Sequence, residues 1–132
     1  MTNFEKILDF HKKFGAHIGN RDKSFTMPDK VKDLRLSLIT EEFREVEEAF
    51  ESEDHTHQIK ELCDLLVVTY GTLVSMGVNA DEAFDLVHVS NMSKLGDDGK
   101  PVFREDGKIL KGPNYKPVDE IVFNDTKFDL NV

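Results

Sequence analysis

Four carboxylates stand at spacings that can do metal chemistry. Glu42 and Glu45 are three residues apart, and so are Glu61 and Asp64. Residues at i and i+3 share one face of a helix. Stepped at about 100° per residue, Glu42 falls inside an arc formed by Leu36, Leu38, Ile39, Phe43, Val46, Ala49 and Phe50. A carboxylate there must face a core or a cleft, so it needs a cation, a set of hydrogen bonds or a proton. An ion pair with Arg35 or a core lysine would serve as well as a metal. Glu61 and Asp64 shift the balance, because one turn later their face becomes Val68. Two helices joined by a short turn near residues 54–56 run antiparallel. The two acid pairs lie at comparable distances from that turn, so they can face each other. Two unit charges about 4 Å apart repel by about 4 kcal/mol at an effective dielectric of 20. Four acids in one place are stable only when partly protonated or filled by a metal. All-oxygen donors suit a hard cation, Mg²⁺ or Mn²⁺, and Mg²⁺ completes its shell with water and substrate phosphates.

The elements that must hold these acids are legible as helices. Phe4, Ile7, Leu8, Phe10 and Phe14 give a first helical pattern from Asn3 to Phe14, broken at Gly15. Residues 20–29 read as a loop ending near Pro28. A second pattern runs from about Lys30 to Ser52, and residues 54–57 read as a turn that leaves His55 and His57 in solvent. A third helix runs from about Thr56 to Met76 and ends at Gly77. Its segment Leu62 to Met76 is apolar nearly all round, which implies burial on most sides. A fourth opens at Asn79, with Glu82 three residues on, and runs to about Leu95. Beyond it, Val102-Phe103 and Ile109-Leu110 flank Asp106-Gly107, which predicts a short hairpin or ordered loop. The fold class is all-α with a small C-terminal extension, and 132 residues suit one domain with a helical core over about 31–95 and an extension over 96–132.

Composition excludes other classes. The net charge is −9, which argues against nucleic acid or an anionic membrane as partner. Residues 41–54 carry eight acids and one base, whereas residues 1–35 and 94–116 are net basic by three and two charges. An acidic centre between basic flanks suits a cation and then a phosphate. No apolar run reaches the ~18–20 residues of a membrane span, and the first residues lack the apolar stretch of a signal peptide. A single cysteine, Cys63, rules out an intrachain disulfide and a cysteine-cluster zinc site. Its apolar and acidic surroundings do not favour a nucleophile. A cytoplasmic location is the expectation.

Glu42-Phe-Arg-Glu45 followed by Glu61-Leu-Cys-Asp64 resembles the ExxE…ExxD signature of the all-α nucleoside triphosphate pyrophosphohydrolases. That superfamily contains the MazG, dimeric dUTPase, dCTP pyrophosphatase and phosphoribosyl-ATP pyrophosphohydrolase proteins. Asn91-Met-Ser-Lys94-Leu strengthens the resemblance, which covers roughly residues 31–116. It implies a MazG-like helical bundle in which Glu42, Glu45, Glu61 and Asp64 hold Mg²⁺. Asn91 and Lys94 match positions on the family's third helix that contact the nucleotide or its phosphates. Glu41 matches an acid that orients or deprotonates the attacking water, a role Glu45 could share. The segment Gly107 to Tyr115 resembles an extension that closes over phosphates, with Lys111 and Tyr115 as its contacts; an ordered surface loop is the alternative. Lys94, with Lys111 or Arg104, would offset charge on the leaving pyrophosphate.

The implied reaction is Mg²⁺-dependent hydrolysis of a nucleoside triphosphate between the α- and β-phosphates, giving a monophosphate and pyrophosphate. Phosphoribosyl-ATP hydrolysis in histidine biosynthesis is the alternative within the superfamily. A non-catalytic helical scaffold that binds nucleotide or metal is the alternative outside it. Phe10, Phe14, His17 and Phe25 are candidates for base selection, and His88 reads as half-buried. The apolar third helix and the resemblance together imply a homodimer or homotetramer.

Overall fold

The computed structural model describes residues 1–19 and 27–118. They form two compact units that divide after Ala80.

The first unit is built on three helices. α1 (Asn3–Phe14) starts at a capping box in which the Thr2 hydroxyl accepts the Glu5 N–H and the Glu5 carboxylate accepts the Thr2 N–H. It ends on Gly15, whose φ of +70° closes the last turn. α2 (Asp29–Ala49) begins directly after Pro28. Pro28 has no N–H to leave unpaired, and its carbonyl accepts the Lys32 N–H at 3.0 Å. α3 (His55–Met76) ends on Gly77 at φ +79°. Its cap is Asp54, whose Oδ1 accepts the His57 N–H at 3.1 Å. This corrects the expected turn: His55 and His57 belong to the first turn of α3, and the connection is the stretch from Phe50 to Asp54. Gln58 closes it by donating to the Ser52 carbonyl at 2.7 Å.

α3 packs against both α2 and α1. Phe4 and Leu8 of α1 meet Val74 of α3 and Ala80, with Ile7, Ile18, Tyr70 and Leu73 around them. Between α2 and α3 the buried group is a cation. Arg35 is buried and donates to the Val68 carbonyl at 2.9 Å and the Thr72 hydroxyl at 3.3 Å. It takes these neutral partners rather than the Glu42 carboxylate that the sequence offered. Gly71 makes room for it, since a Cβ there would run into Nη2 of Arg35 and lie 2.9 Å from Nε2 of His11. The His11 Nδ1 sits 3.0 Å from the His17 carbonyl. Burial holds the His11 imidazole below its usual pKa, helped by the neighbouring Arg35 charge.

The apolar arc of α2 is only partly covered. Ala49 is buried, whereas Leu36, Phe43 and Phe50 are all more than half exposed. On α3, Ile59, Leu62, Leu66 and Val67 are also exposed. Among the described residues, no single helix is long and apolar enough to cross a membrane.

The second unit takes up at Asp81, one residue into α4 (Ala80–Met92). α4 stops short of the expected Leu95. The Ser93 hydroxyl donates to the Ser90 carbonyl at 2.6 Å. The Lys94 and Leu95 N–H groups then reach back only three residues, to Asn91 and Met92. A two-stranded antiparallel ribbon follows: β1 (Val102–Phe103) and β2 (Ile109–Leu110) pair Val102 with Leu110 and Phe103 with Ile109. Gly107 turns the chain between them at φ +86°. His88, expected half-buried, is exposed.

Candidate metal centre

Three carboxylates converge where α2 faces α3. One oxygen from each of Glu42, Glu45 and Glu61 lies within 4.8 Å of the others. Two α2 residues three apart share a face, and the antiparallel partner brings Glu61 against them from the far side of the turn. Glu61 is buried, and Glu42 and Glu45 are half-buried. The Oε2 atoms of Glu42 and Glu61 are buried without any hydrogen-bond partner. A buried acceptor left unmade costs about 1–3 kcal/mol, and more when it is charged. The crowding favours a proton on Glu45: hydrogen bonding to Glu42, then the charge of Glu42 and hydrogen bonding to Glu61, push its pKa up to about 7.

Other groups hold the rim of this cluster. Oε1 of Glu61 lies 3.1 Å from Nζ of Lys60 and 3.2 Å from Nε2 of His57. The same Lys60 ammonium reaches Oδ2 of Asp64 at 2.7 Å. Asp64 is therefore one turn beyond Glu61 and paired with a lysine, and it does not belong to the set of three. From sequence, His57 is placed in solvent without a role in the site, and Lys60 is not singled out. Their i,i+4 spacing to Glu61 and Asp64 was the available signal.

The donor set fits a hard divalent cation. It is all oxygen and anionic, and it contains two buried oxygens with nothing to accept from. Glu41 is exposed on the neighbouring face of α2. There it lines a groove of about 620 Å³ with Ser37, Thr40, Arg44, Glu45 and Glu48.

The remaining predicted residues lie in the second unit. Asn91 lies in the last turn of α4, and Lys94 follows the helix in a turn rather than on it. Both line a cavity of about 390 Å³ with Met92, Leu95, Pro101 and Ile109. The segment 111–116 is tied to this same turn. The Gly112 N–H donates to the Lys94 carbonyl at 2.9 Å, and a Cβ on Gly112 would lie 2.6 Å from that oxygen. Ser90 donates to the Lys116 carbonyl at 2.7 Å, and the Lys116 N–H donates to Ser93 at 2.9 Å. Lys111 and Tyr115 meet each other, with Nζ 4.8 Å from the ring centre. Gly112, Ser90 and Ser93 were not foreseen as the ties of this loop. Of the residues considered for base selection, Phe10 stacks on Phe14 at 4.4 Å between ring centres. His17 is exposed, and Phe25 lies outside the described residues.

The sequence pattern of the phosphoribosyl-ATP pyrophosphohydrolase family matches residues 7–91, more than half of the chain and the whole of the carboxylate cluster. An uncharacterised protein of Acanthamoeba polyphaga mimivirus is 29% identical over 127 residues. These make up 92% of this chain and 48% of the relative, so the chain spans about half the length of that curated relative. A crystal structure of a candidate NTP pyrophosphohydrolase from Exiguobacterium sp. 255-15 aligns over 90% of both chains, at 23% identity and a TM-score of 0.43. The chain belongs to the phosphoribosyl-ATP pyrophosphohydrolase family, within the wider group of all-α hydrolases that act on pyrophosphate bonds.

Proposed function

We propose that this chain is a Mg²⁺-dependent nucleotide pyrophosphohydrolase, with Mn²⁺ as a substitute metal, that adds water across the anhydride between the α- and β-phosphates. The products are a nucleoside monophosphate and pyrophosphate. The observation that carries this reading is the pair of buried, unpartnered oxygens of Glu42 and Glu61 inside a cluster of three acids. A family of pyrophosphate-bond hydrolases supplies the reaction class.

Glu42, Glu45 and Glu61 would hold the metal, with Asp64 joining once its lysine partner moves. The bound metal would supply charge neutralisation at the phosphates and a more acidic water. Glu41, on the groove wall beside Glu45, would orient the attacking water or take its proton, a role Glu45 could share. A carboxylate whose pKa is raised toward neutrality is a better base for such a proton. Asn91 and Lys94 would contact the nucleotide, and Lys94 and Lys111 would offset the charge of the leaving pyrophosphate, with Tyr115 steadying Lys111.

The family match favours phosphoribosyl-ATP as a second substrate reading. A panel of NTPs, dNTPs and phosphoribosyl-ATP with Mg²⁺, read by pyrophosphate release, tests both. Release from an NTP or dNTP supports the first, release from phosphoribosyl-ATP alone the second, and release from none refutes both.

A homo-oligomer belongs to the same reading. Ile59, Leu62 and Leu66 follow one another at three- and four-residue steps on α3, each more than two-fifths exposed. A second copy of the chain would cover them, as a dimer or as a dimer of dimers. Cytoplasmic residence is part of the proposal as well.

A further inference from the structure

The ammonium of Lys60 stands where a cation is wanted. It lies 3.1 Å from Oε1 of Glu61 and 2.7 Å from Oδ2 of Asp64, so it bridges the two acids of the second motif. The side chain is 65% exposed, whereas that of Glu61 is 6% exposed. The lysine therefore reaches in from solvent on a flexible stem and can leave at little packing cost. Oε1 of Glu61 is taken by Lys60 and His57, while its Oε2 is buried with no partner. A metal could meet Oε2 with Lys60 still in place. What Lys60 withholds is Asp64.

Resting on the metal-centre reading above, we propose that Lys60 is a built-in competitor for the divalent cation. Its ammonium neutralises Glu61 and Asp64 when metal is scarce. It must release Asp64 before that carboxylate can enter the ligand set, and so it sets the metal concentration at which the site fills. Two effects act in the same direction. The ion pairs stabilise the metal-free state, and the ammonium repels an arriving cation. Exposed pairs of this kind are weak individually, so the expected effect is a tuning of affinity rather than a block.

The test is Mn²⁺ binding to the full chain without nucleotide, read from the electron paramagnetic resonance signal of free Mn²⁺. Lys60→Met keeps the stem and removes the charge; Lys60→Gln is the second variant should the first fold poorly. Both should bind Mn²⁺ three- to tenfold more tightly than wild type, equivalent to about 0.7–1.4 kcal/mol. The gain should shrink in an Asp64→Asn background, because there Lys60 withholds no carboxylate and only its charge repulsion remains. Unchanged or weaker binding in both Lys60 variants, with normal binding in wild type, would overturn the competitor while leaving the metal centre standing. An equal gain with and without Asp64 would also overturn it, because that is what general charge repulsion gives. Absence of Mn²⁺ binding in every protein would remove the metal centre and the competitor together.

Discussion

Replacing Glu61 with Gln should make the metal-free protein more stable and the enzyme inactive. The three carboxylates of the cluster crowd one another. Glu42 and Glu61, 4.8 Å apart at most, repel by about 3.5 kcal/mol at an effective dielectric of 20. Against that relief stands the loss of one partly exposed ion pair, Glu61 with Lys60, and of the Glu61 contact with His57, which is ionic only when the imidazole is protonated. Such pairs are worth about 0.2–1 kcal/mol each. The balance favours Glu61→Gln by about 2 kcal/mol, roughly 6–10 °C in melting temperature for a chain of this size. The advantage should depend on pH. In wild type the Glu45 carboxyl is pushed up to about 7. Its proton therefore contributes stability that is full below 4.5 and lost as pH rises through 7. Glu61→Gln removes the Glu61 share of that crowding, which is smaller than that of Glu42, so the gap between the proteins should widen modestly from pH 5 to pH 8. Thermal denaturation without metal at pH 5, 6.5 and 8 checks this, and millimolar Mg²⁺ should then raise wild type and not the variant. A variant that melts below wild type at pH 8 without metal, or that keeps full turnover, would refute the reasoning.

Three further outcomes follow from the same geometry. Mg²⁺ affinity should rise between pH 5.5 and pH 8 with release of about one proton, because the Glu45 proton must leave for the oxygen to bind metal; calorimetry in buffers of different ionisation enthalpy counts it. Lys94→Ala should lower kcat/KM by about ten- to a hundredfold, the loss of one charge-stabilising contact. Its melting temperature should change little, since the Lys94 atom that holds Gly112 is the backbone carbonyl. Light scattering at micromolar concentration should give a dimer or tetramer, and Leu66→Glu on the exposed stripe of α3 should shift it toward monomer.

Much of the framework can be read from residue order. Gly15 and Gly77 end helices because only a left-handed residue closes those turns. The approach of Glu42 and Glu45 to Glu61 follows from equal distances to one turn in an antiparallel pair. What escaped the sequence was decided by side-chain choice. A wheel puts Asp64 beside Glu61 but cannot say that Lys60 will take it. The apolar arc of α2 suggested an ion pair between Glu42 and Arg35, yet the guanidinium found a carbonyl and a hydroxyl over Gly71. Lys94 looked helical until Ser93 turned its hydroxyl onto the Ser90 carbonyl and tightened the chain. The position of His57 changed because Asp54 caps α3 one residue earlier than the apolar pattern begins.

The central claim is that Glu42, Glu45 and Glu61 hold a metal with which this chain cleaves a pyrophosphate bond of a nucleotide. The most direct measurement is quantitation of pyrophosphate and nucleoside monophosphate from purified protein with the nucleotide panel, with Mg²⁺ and with Mg²⁺ removed by chelation, for wild type and Glu61→Gln. The account predicts equal amounts of the two products from wild type, none after chelation and none from the variant. Undiminished product after chelation, orthophosphate in place of pyrophosphate, or a fully active variant would contradict it.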